Sequence, residues 1–201
     1  MPRPRSFDRD EMLDRAVTEF WRHGYNALGL DDLLGYIGLS RASMYRTFGS
    51  KADFYAEALD RYRHTEGDKF HACLVDAESS VDAVRNVFDL IIEQSLDGDR
   101  PRGCFVVAAT SERTGTDDRT ALQVDEQLNI LYRLFETLFE HAVDTGEFHP
   151  EFVTTRWAKF VVASIQGIRV IATAQPDRST LHDIASANVV ALAHAATTSK
   201  Q

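Results

Sequence analysis

The sequence predicts an all-α protein of about nine helices. Apolar residues recur at intervals of three and four along most of the chain, which is the spacing of one face of an α-helix. Alternating β-branched residues are nearly absent, and no two such runs are joined by a tight Asn-Gly or Asp-Gly turn. The five prolines fall near the edges of the helical segments, where they interrupt no helix interior.

Periodic apolar segments place the helices along the chain. The first is predicted at about 8–23, because Met12, Ala16 and Phe20 share one face and Gly24 ends the pattern. The others are predicted at about 30–37, 41–47, 51–74, 81–96, 104–112, 118–141, 150–174 and 179–197.

The chain has 201 residues, of which 44% are hydrophobic and 26% are charged, as in an ordinary folded protein. No apolar run approaches the ~20 residues that span a bilayer, and no apolar stretch follows the basic residues at the start. We therefore expect no membrane span, no signal peptide and a cytoplasmic location. In that reducing compartment Cys73 and Cys104 form no structural disulfide.

The net charge of −9 is distributed unevenly along the chain. Residues 1–63 carry ten basic and ten acidic side chains, so the whole excess of acid lies in residues 64–201. The stretch from Leu33 to Lys51 includes Arg41 and Arg46 and contains no acidic residue. Because salt confines repulsion from distant charge to about 10 Å, a local basic face on an acidic protein can still bind phosphate.

Two short helices around a tight turn form the most informative motif, Gly29 to Lys51. Gly38 supplies the positive φ of the turn, and the Ser40 hydroxyl caps the following helix. The apolar residues that hold the two helices together are predicted to be Leu33, Leu34, Ile37, Leu39, Met44 and Phe48. The outer face keeps hydrogen-bond donors and one aromatic ring, which suit a DNA major groove: Arg41, Ser43, Tyr45, Arg46 and Thr47.

Residues 7–55 resemble the DNA-binding domain of the TetR/AcrR family of repressors. The resemblance rests on matching residue pairs and triplets in the same order and spacing: Gly24-Tyr25, Asp32-Leu33, Gly38-Leu39-Ser40, Met44-Tyr45, Phe48 and Ser50-Lys51. It implies a helix-turn-helix DNA-binding domain at residues 1–50 and a helical ligand-binding and dimerisation domain at residues 51–201. Leu28 and Gly29 depart from the family, which usually has phosphate-binding hydroxyl residues there, and Thr47 replaces a longer side chain.

The resemblance also implies roles for individual residues. Residues 40–47 would form the recognition helix, with its arginines and Ser43 reading bases and with Tyr45 and Thr47 meeting the backbone. Lys51 would contact phosphate, and a basic arm at the start of the chain would reach a neighbouring minor groove. The expected DNA-binding residues are Arg3, Arg5, Ser40, Arg41, Ser43, Tyr45, Arg46, Thr47 and Lys51.

The last two predicted helices have the character of a dimer interface. Small residues at helical spacing let two helices approach closely, although the same pattern also suits the core of a monomer. In the resembled family these helices pair with their symmetry mates, and a dimer reads two half-sites of a palindrome. The expected interface residues are Ser164, Gly167, Ile168, Ile171, Ile184, Asn188, Ala191 and Leu192.

The middle helices supply an apolar interior. In the resembled family this region encloses the cavity of a small-molecule inducer, whereas an aromatic stripe by itself equally indicates a plain core. The expected pocket residues are Phe70, Phe88, Ile92, Cys104, Phe105, Leu128, Leu131, Tyr132, Phe135, Trp157, Phe160 and Ser164. No cofactor is expected.

Cys104 is also a candidate redox sensor. It follows Arg102 and Gly103 at the start of a predicted helix, where unpaired N–H groups stabilise a thiolate, and some members of the resembled family sense oxidants at such a position. The alternative is a small buried hydrophobe. His64, Asp68 and His71 share one helical face, but a solvated face is favoured over a metal site.

Two other classes of function are alternatives to a repressor. Enzyme activity is not expected, because the sequence has no phosphate-binding glycine loop, Cys-x-x-Cys pair, zinc-protease motif or nucleophile elbow. A helical protein-interaction adaptor of the same fold has no need of a basic face on its second short helix. The sequence therefore favours a dimeric, ligand-responsive repressor, while activation of transcription stays open.

Overall fold

The computed structural model describes residues 8–99, 103–113 and 118–198. Within these ranges the chain is all-α and contains no strand, and the predicted fold class with nine helices is confirmed. The helices are α1 Arg9–His23, α2 Leu30–Ile37, α3 Arg41–Phe48, α4 Lys51–Val75, α5 Ser80–Leu96, α6 Phe105–Arg113, α7 Asp118–Asp144, α8 Thr154–Ala174 and α9 Arg178–Thr197.

Side-chain caps fix where several helices begin. The carboxylates of Asp8 and Asp177 accept backbone N–H groups at the starts of α1 and α9, and the Ser79 hydroxyl does the same for α5. Hydrogen bonds from Ser179 and Thr180 lower the pKa of Asp177 to about 2. These caps explain why the predicted starts of α1, α5 and α9 lie within one residue of the observed ones.

The start of α8 is the largest departure from the predicted helices. Helix α8 begins at Thr154 and not near Pro150, because the preceding residues form a turn. The Phe152 N–H donates to the His149 carbonyl at 2.9 Å, and the His149 N–H donates to the Ala196 carbonyl of α9 at 2.7 Å. The turn thus fastens the chain to the end of α9 before α8 begins.

Packing divides the chain into two compact units. The first comprises Met1–Glu66 with Phe105–Val124, and the second comprises Gly67–Cys104 with Asp125–Gln201. Helix α4 therefore contributes to both units, whereas the functional boundary predicted from the sequence stands at residue 50. The part of α4 up to Glu66 belongs to the first unit, where aromatic side chains such as Tyr55 pack directly on Phe20 of α1.

The second unit is built around α5, which packs against both α8 and α9. Its core is a continuous apolar cluster that includes Phe88, Ile91, Phe135, Phe139 and Ile165, all fully buried. Close-packed interiors of this kind hold helices in fixed positions. The unit therefore presents the outer surfaces of α8 and α9 on a rigid support.

Candidate DNA interface

The turn between α2 and α3 has the geometry that the sequence predicts. Gly38 adopts the left-handed conformation, with φ 73° and ψ 30°, and its N–H donates to the Leu34 carbonyl. Ser40 is the N-cap of α3, and its Oγ accepts the Ser43 N–H at 3.2 Å. A left-handed glycine followed by a serine cap turns the chain sharply between two helices. This turn sets the direction of α3 relative to α2.

The small core beneath the turn is also confirmed. Every predicted core residue of the motif is buried, with exposed fractions between 0% and 6%: Leu33, Leu34, Ile37, Leu39, Met44 and Phe48. Leu28, a departure from the resembled family, is 4% exposed and is therefore buried as well. Its side chain therefore faces the core, where a hydroxyl residue would have lost hydrogen bonds to water.

The outer face of α3 is polar and accessible. Arg41, Tyr45 and Arg46 are exposed, and Ser43 and Thr47 are half-buried. Hydrogen bonds link part of this face, since the Ser40 hydroxyl donates to Ser43 Oγ at 3.0 Å and Arg46 Nη2 donates to the same oxygen at 3.3 Å. The structure thus brings the predicted residues of α3 together on one surface. Their contact with DNA stays a prediction, and Arg3 and Arg5 lie outside the described residues.

Arg41 has an acidic partner that sequence reasoning missed. Its Nη2 donates to Asp31 Oδ1 of α2 at 2.5 Å, and this hydrogen bond raises the pKa of the Arg41 guanidinium above its ordinary value. Asp31 lies just before the acid-free stretch, so charge counting along the sequence does not reveal the pair. Arg41, at the start of α3, is therefore held by Asp31 of α2.

Lys51 lies against the main chain of the first unit. Its Nζ donates to the Tyr25 carbonyl at 2.6 Å and also to the Leu28 carbonyl, and it lies 4.4 Å from the centre of the Tyr25 ring. Cations above an aromatic face and beside two carbonyl oxygens are held electrostatically. Lys51 therefore fastens the α1–α2 loop to the start of α4. The predicted phosphate contact of this side chain stays a prediction.

Replacing Lys51 with methionine is expected to lower the free energy of unfolding by about 2–3 kcal/mol, because two hydrogen bonds from a charged donor are lost. Urea unfolding followed by circular dichroism measures the effect at a fixed protein concentration. Lys159→Met is the matched control, because this lysine is exposed on α8. Equal unfolding midpoints for the two variants would contradict the fastening role of Lys51.

A glutamate of α6 holds the same loop from another side. Glu112 Oε2 accepts the Tyr25 N–H at 2.6 Å, and the Glu112 carbonyl accepts a hydrogen bond from Asn26 at 3.2 Å. Gly24, with φ 77°, lies so close that a Cβ there would be 2.1 Å from Glu112 Oε1. Glycine at position 24 is thus required both by the backbone conformation and by the approach of α6. This contact between distant segments has no sequence signal.

Most of the predicted pocket residues form packed core. Phe70, Phe88, Ile92, Leu131 and Phe135 are buried in the apolar cluster of the second unit, and Leu128, Tyr132 and Trp157 pack against it. Phe105 belongs instead to the first unit, where its ring packs on Tyr55 and Tyr62. Phe160 is 39% exposed, which does not suit the wall of a closed cavity. An internal ligand cavity therefore stays a prediction.

Two surface cavities lie beside α7 in the second unit. One, of about 430 Å³, lies between α7 and α8 and is lined by Tyr132, Arg133 and Lys159 among others. The other, of about 530 Å³, lies between the end of α4 and α7, with His71, Arg133 and His141 among mainly apolar residues. Both volumes are within the range of small-molecule sites. Of the predicted pocket residues, Tyr132 lines the first cavity and none lines the second.

The predicted interface residues differ in how far they are exposed in the single chain. Ile168 and Leu192 have exposed fractions of 0%, so their side chains pack inside their own chain, and their contact with a partner stays a prediction. Ser164 donates to Asn188 Oδ1 at 2.5 Å, which joins α8 to α9 within the chain. Ile171 is 36% exposed, and the rest are half-buried, namely Gly167, Ile184 and Ala191.

Further apolar side chains on α8 and α9 are more exposed than the predicted ones. Val170 is 59% exposed and Val190 is 67% exposed, and Phe160 shares the accessible face of α8 with Val170 and Ile171. A contiguous exposed apolar face commonly marks a protein contact. Periodicity could have found this face, because Phe160, Gly167 and Ile171 recur at helical spacing.

The remaining candidate sites are less informative. Cys104 is 7% exposed and immediately precedes α6, while Arg102, its predicted cationic neighbour, lies outside the described residues. The role of Cys104 as a sensor stays a prediction.

The described part of the chain holds no group of three possible metal ligands, and His64 Nδ1 lies 2.7 Å from the Asp60 carbonyl of its own helix. Over the same residues no helix is long and apolar enough to cross a membrane.

Two family models match the chain. The model described as "Bacterial regulatory proteins, tetR family" covers residues 12–58, which include the turn and α3. The model described as "Tetracyclin repressor-like, C-terminal domain" covers residues 80–187. The chain belongs to the TetR family. Members of the TetR family are transcriptional regulators with a helix-turn-helix, and the expectation that this protein is not an enzyme agrees with that membership.

Individual TetR-family relatives extend over most of the chain. It is 30% identical to the transcriptional repressor ComR of Escherichia coli K12 over 171 residues, which are 85% of this chain and 81% of ComR. It is 27% identical to the transcriptional regulator YezE of Bacillus subtilis 168 over 91% of this chain and 95% of YezE. A structure of the TetR family regulator CifR with 26-bp operator DNA matches at 27% identity and a TM-score of 0.84, covering 94% and 99% of the two chains.

Proposed function

We propose that this protein is a homodimeric, ligand-responsive repressor that binds a palindromic operator in the cytoplasm. Residues 1–50 read DNA in this proposal, and residues 51–201 bind the inducer and form the dimer. The observation that carries it is the exposed polar face of α3, with Arg41, Tyr45 and Arg46, on a helix-turn-helix whose core is buried. The similarity to CifR, whose structure includes operator DNA, supports the same conclusion.

The apolar surface of α8 and α9 supports the homodimer. Val170, Ile171 and Val190 are exposed in the single chain, and pairing with a second copy would remove them from water. A dimer would suit the geometry of DNA, because recognition helices about 34–36 Å apart enter successive major grooves on one side of the duplex. A symmetric dimer therefore predicts a palindrome.

Release from DNA is proposed to depend on a small molecule. Helix α4 begins with Lys51, which holds the α1–α2 loop, and ends at Val75, which lines the cavity of about 530 Å³. A ligand that favours one position of α4 would shift the population of DNA-binding conformations. The alternative trigger is oxidation or alkylation of Cys104.

Selection from a library of random duplexes at about 150 mM salt tests the proposed function. We expect enrichment of a palindrome with two half-sites. Weak, salt-sensitive binding without enrichment would contradict a specific repressor and favour an adaptor of the same fold. Salt matters because contacts to phosphate alone are sequence-independent and weaken steeply as salt rises.

If Cys104 is the trigger, Cys104→Ser is expected to abolish release from the operator by an oxidant, as measured by fluorescence anisotropy. Cys73→Ser is the matched control. Burial raises the pKa of the Cys73 thiol, and Asp76 adds to this effect, so its reactive thiolate is scarce. Unchanged release from the Cys104→Ser protein would rule out this cysteine as the trigger.

A further inference from the structure

The ion pair between Asp31 and Arg41 joins the two helices of the helix-turn-helix. Asp31 stands in the first turn of α2, and Arg41 is the first residue of α3. Their side chains are 80% and 54% exposed, and the Oδ1–Nη2 distance is 2.5 Å. The pair therefore lies on the surface, and its position at the start of the recognition helix belongs to the proposed DNA interface.

Asp31 favours the start of α2 through the helix dipole, as Asp32 does, but its ion pair with Arg41 adds little to fold stability. Exposed ion pairs contribute little to folding because water screens them. A carboxylate beside a DNA-binding face also repels phosphate, so Asp31 opposes binding to any duplex regardless of sequence. An acidic residue at this position therefore lowers the affinity for DNA. Its contact with Arg41 is the observed feature that can compensate for this loss.

The carboxylate restricts the orientation of the Arg41 guanidinium. Arginine has five N–H donors in a planar fork, and Asp31 engages one edge of it through Nη2. Tyr45 is a second neighbour of the guanidinium, and the donors that neither residue engages can bind base edges. Arginine recognises guanine by two parallel hydrogen bonds to O6 and N7, and this contact requires a fixed plane. An arginine without a partner would turn freely and reach phosphates of any sequence.

We propose that Asp31 determines operator specificity by holding Arg41 in the plane that reads a guanine in each half-site. Asp31 is a positioning residue in this proposal and acts on DNA only through Arg41. The proposal rests on the proposed function, because it assigns a base contact to one residue of the same interface.

Asp32 provides a matched control in the next position of the same helix. It is also an exposed carboxylate in the first turn of α2, so both acids favour the helix dipole. Its carboxylate lies beside Gly29, where a Cβ would be 2.9 Å from Asp32 Oδ2. Replacing either residue with alanine removes one negative charge from the same region, and only Asp31→Ala removes the carboxylate that binds Arg41.

Random-duplex selection with the wild-type protein, Asp31→Ala, Asp32→Ala and Arg41→Ala tests the proposal. In Asp31→Ala we expect the preference for guanine at one position of each half-site to fall about tenfold or more, while the other positions keep theirs. Arg41→Ala should lose preference at the same position, and Asp32→Ala should retain it. Binding of Asp31→Ala to a duplex of unrelated sequence should become tighter.

Two outcomes would overturn the proposal. Identical sequence preferences for Asp31→Ala, Asp32→Ala and the wild-type protein would mean that Asp31 acts only as a charge. If Asp31→Ala lost base preference at a different position of the half-site from Arg41→Ala, Asp31 would not act through Arg41. A wild-type protein that enriches no sequence would instead contradict the proposed function itself, and this inference with it.

Discussion

Replacing Val170 and Val190 together with glutamate is expected to convert the proposed dimer into monomers. The two valines are 59% and 67% exposed on α8 and α9, so the single chain should tolerate polar side chains there. Pairing of two copies would bury four carboxylates without partners, and each costs several kcal/mol. The dissociation constant of the dimer should rise about a thousandfold or more, which corresponds to about 4 kcal/mol. Sedimentation over a range of concentrations measures this change.

Val75 and Leu122 provide a matched control for that experiment. Both are exposed aliphatic residues, at 66% and 64%, and they lie on α4 and α7. The Val75→Glu, Leu122→Glu protein adds the same charge but should remain dimeric. If both double variants sediment as dimers, α8 and α9 do not form the interface. If both are monomeric, net charge and not the location of the substitutions controls assembly.

Replacing Arg46 with alanine is expected to remove most of the preference for the selected operator. Arg46 is exposed on α3, and loss of an arginine that reads bases costs about 1–3 kcal/mol. Because a symmetric dimer loses the contact twice, the affinity should fall by about 2–6 kcal/mol in total, at least about thirtyfold. Titration of the operator and of an unrelated duplex at the same salt concentration separates lost readout from lost charge.

Arg85 is the control for the loss of positive charge. It is an exposed arginine on α5 that pairs with Asp82 one helical turn away. Arg85→Ala changes the net charge of the protein as Arg46→Ala does, but it should leave operator affinity unchanged. Equal effects of the two substitutions would refute a base-reading role for Arg46.

The local features of the helix-turn-helix could be predicted because they depend on residues that are close together in the sequence. Gly38 supplies the left-handed turn, Ser40 caps α3, and apolar spacing identifies the buried face, so these predictions are confirmed. The contacts of Lys51 with Leu28 and of Glu112 with Tyr25 join residues far apart in sequence. Periodicity indicates which face of a helix is buried and does not identify its partner.

The sequence does not decide between a ligand pocket and a packed core, for a different reason. Apolar residues at helical spacing show the same sequence pattern whether they line a cavity or form a packed core. Phe88 and Phe135 share their pattern with pocket residues, and both are fully buried in packed core. The same ambiguity affected Ile168 and Leu192, whose small neighbours suggested close approach of a second chain while their own side chains face inward. Burial in the folded chain separates these possibilities.

The spacing of the two half-sites tests the central claim most directly, namely that two copies of this chain read a palindrome together. The measurement is the affinity of the wild-type protein for the selected operator with and without about five base pairs inserted at its centre, which is half of a helical turn. The insertion moves one half-site to the opposite side of the duplex, so affinity should fall to that for unrelated DNA. Unchanged affinity would contradict the account, because each chain would then bind its half-site alone.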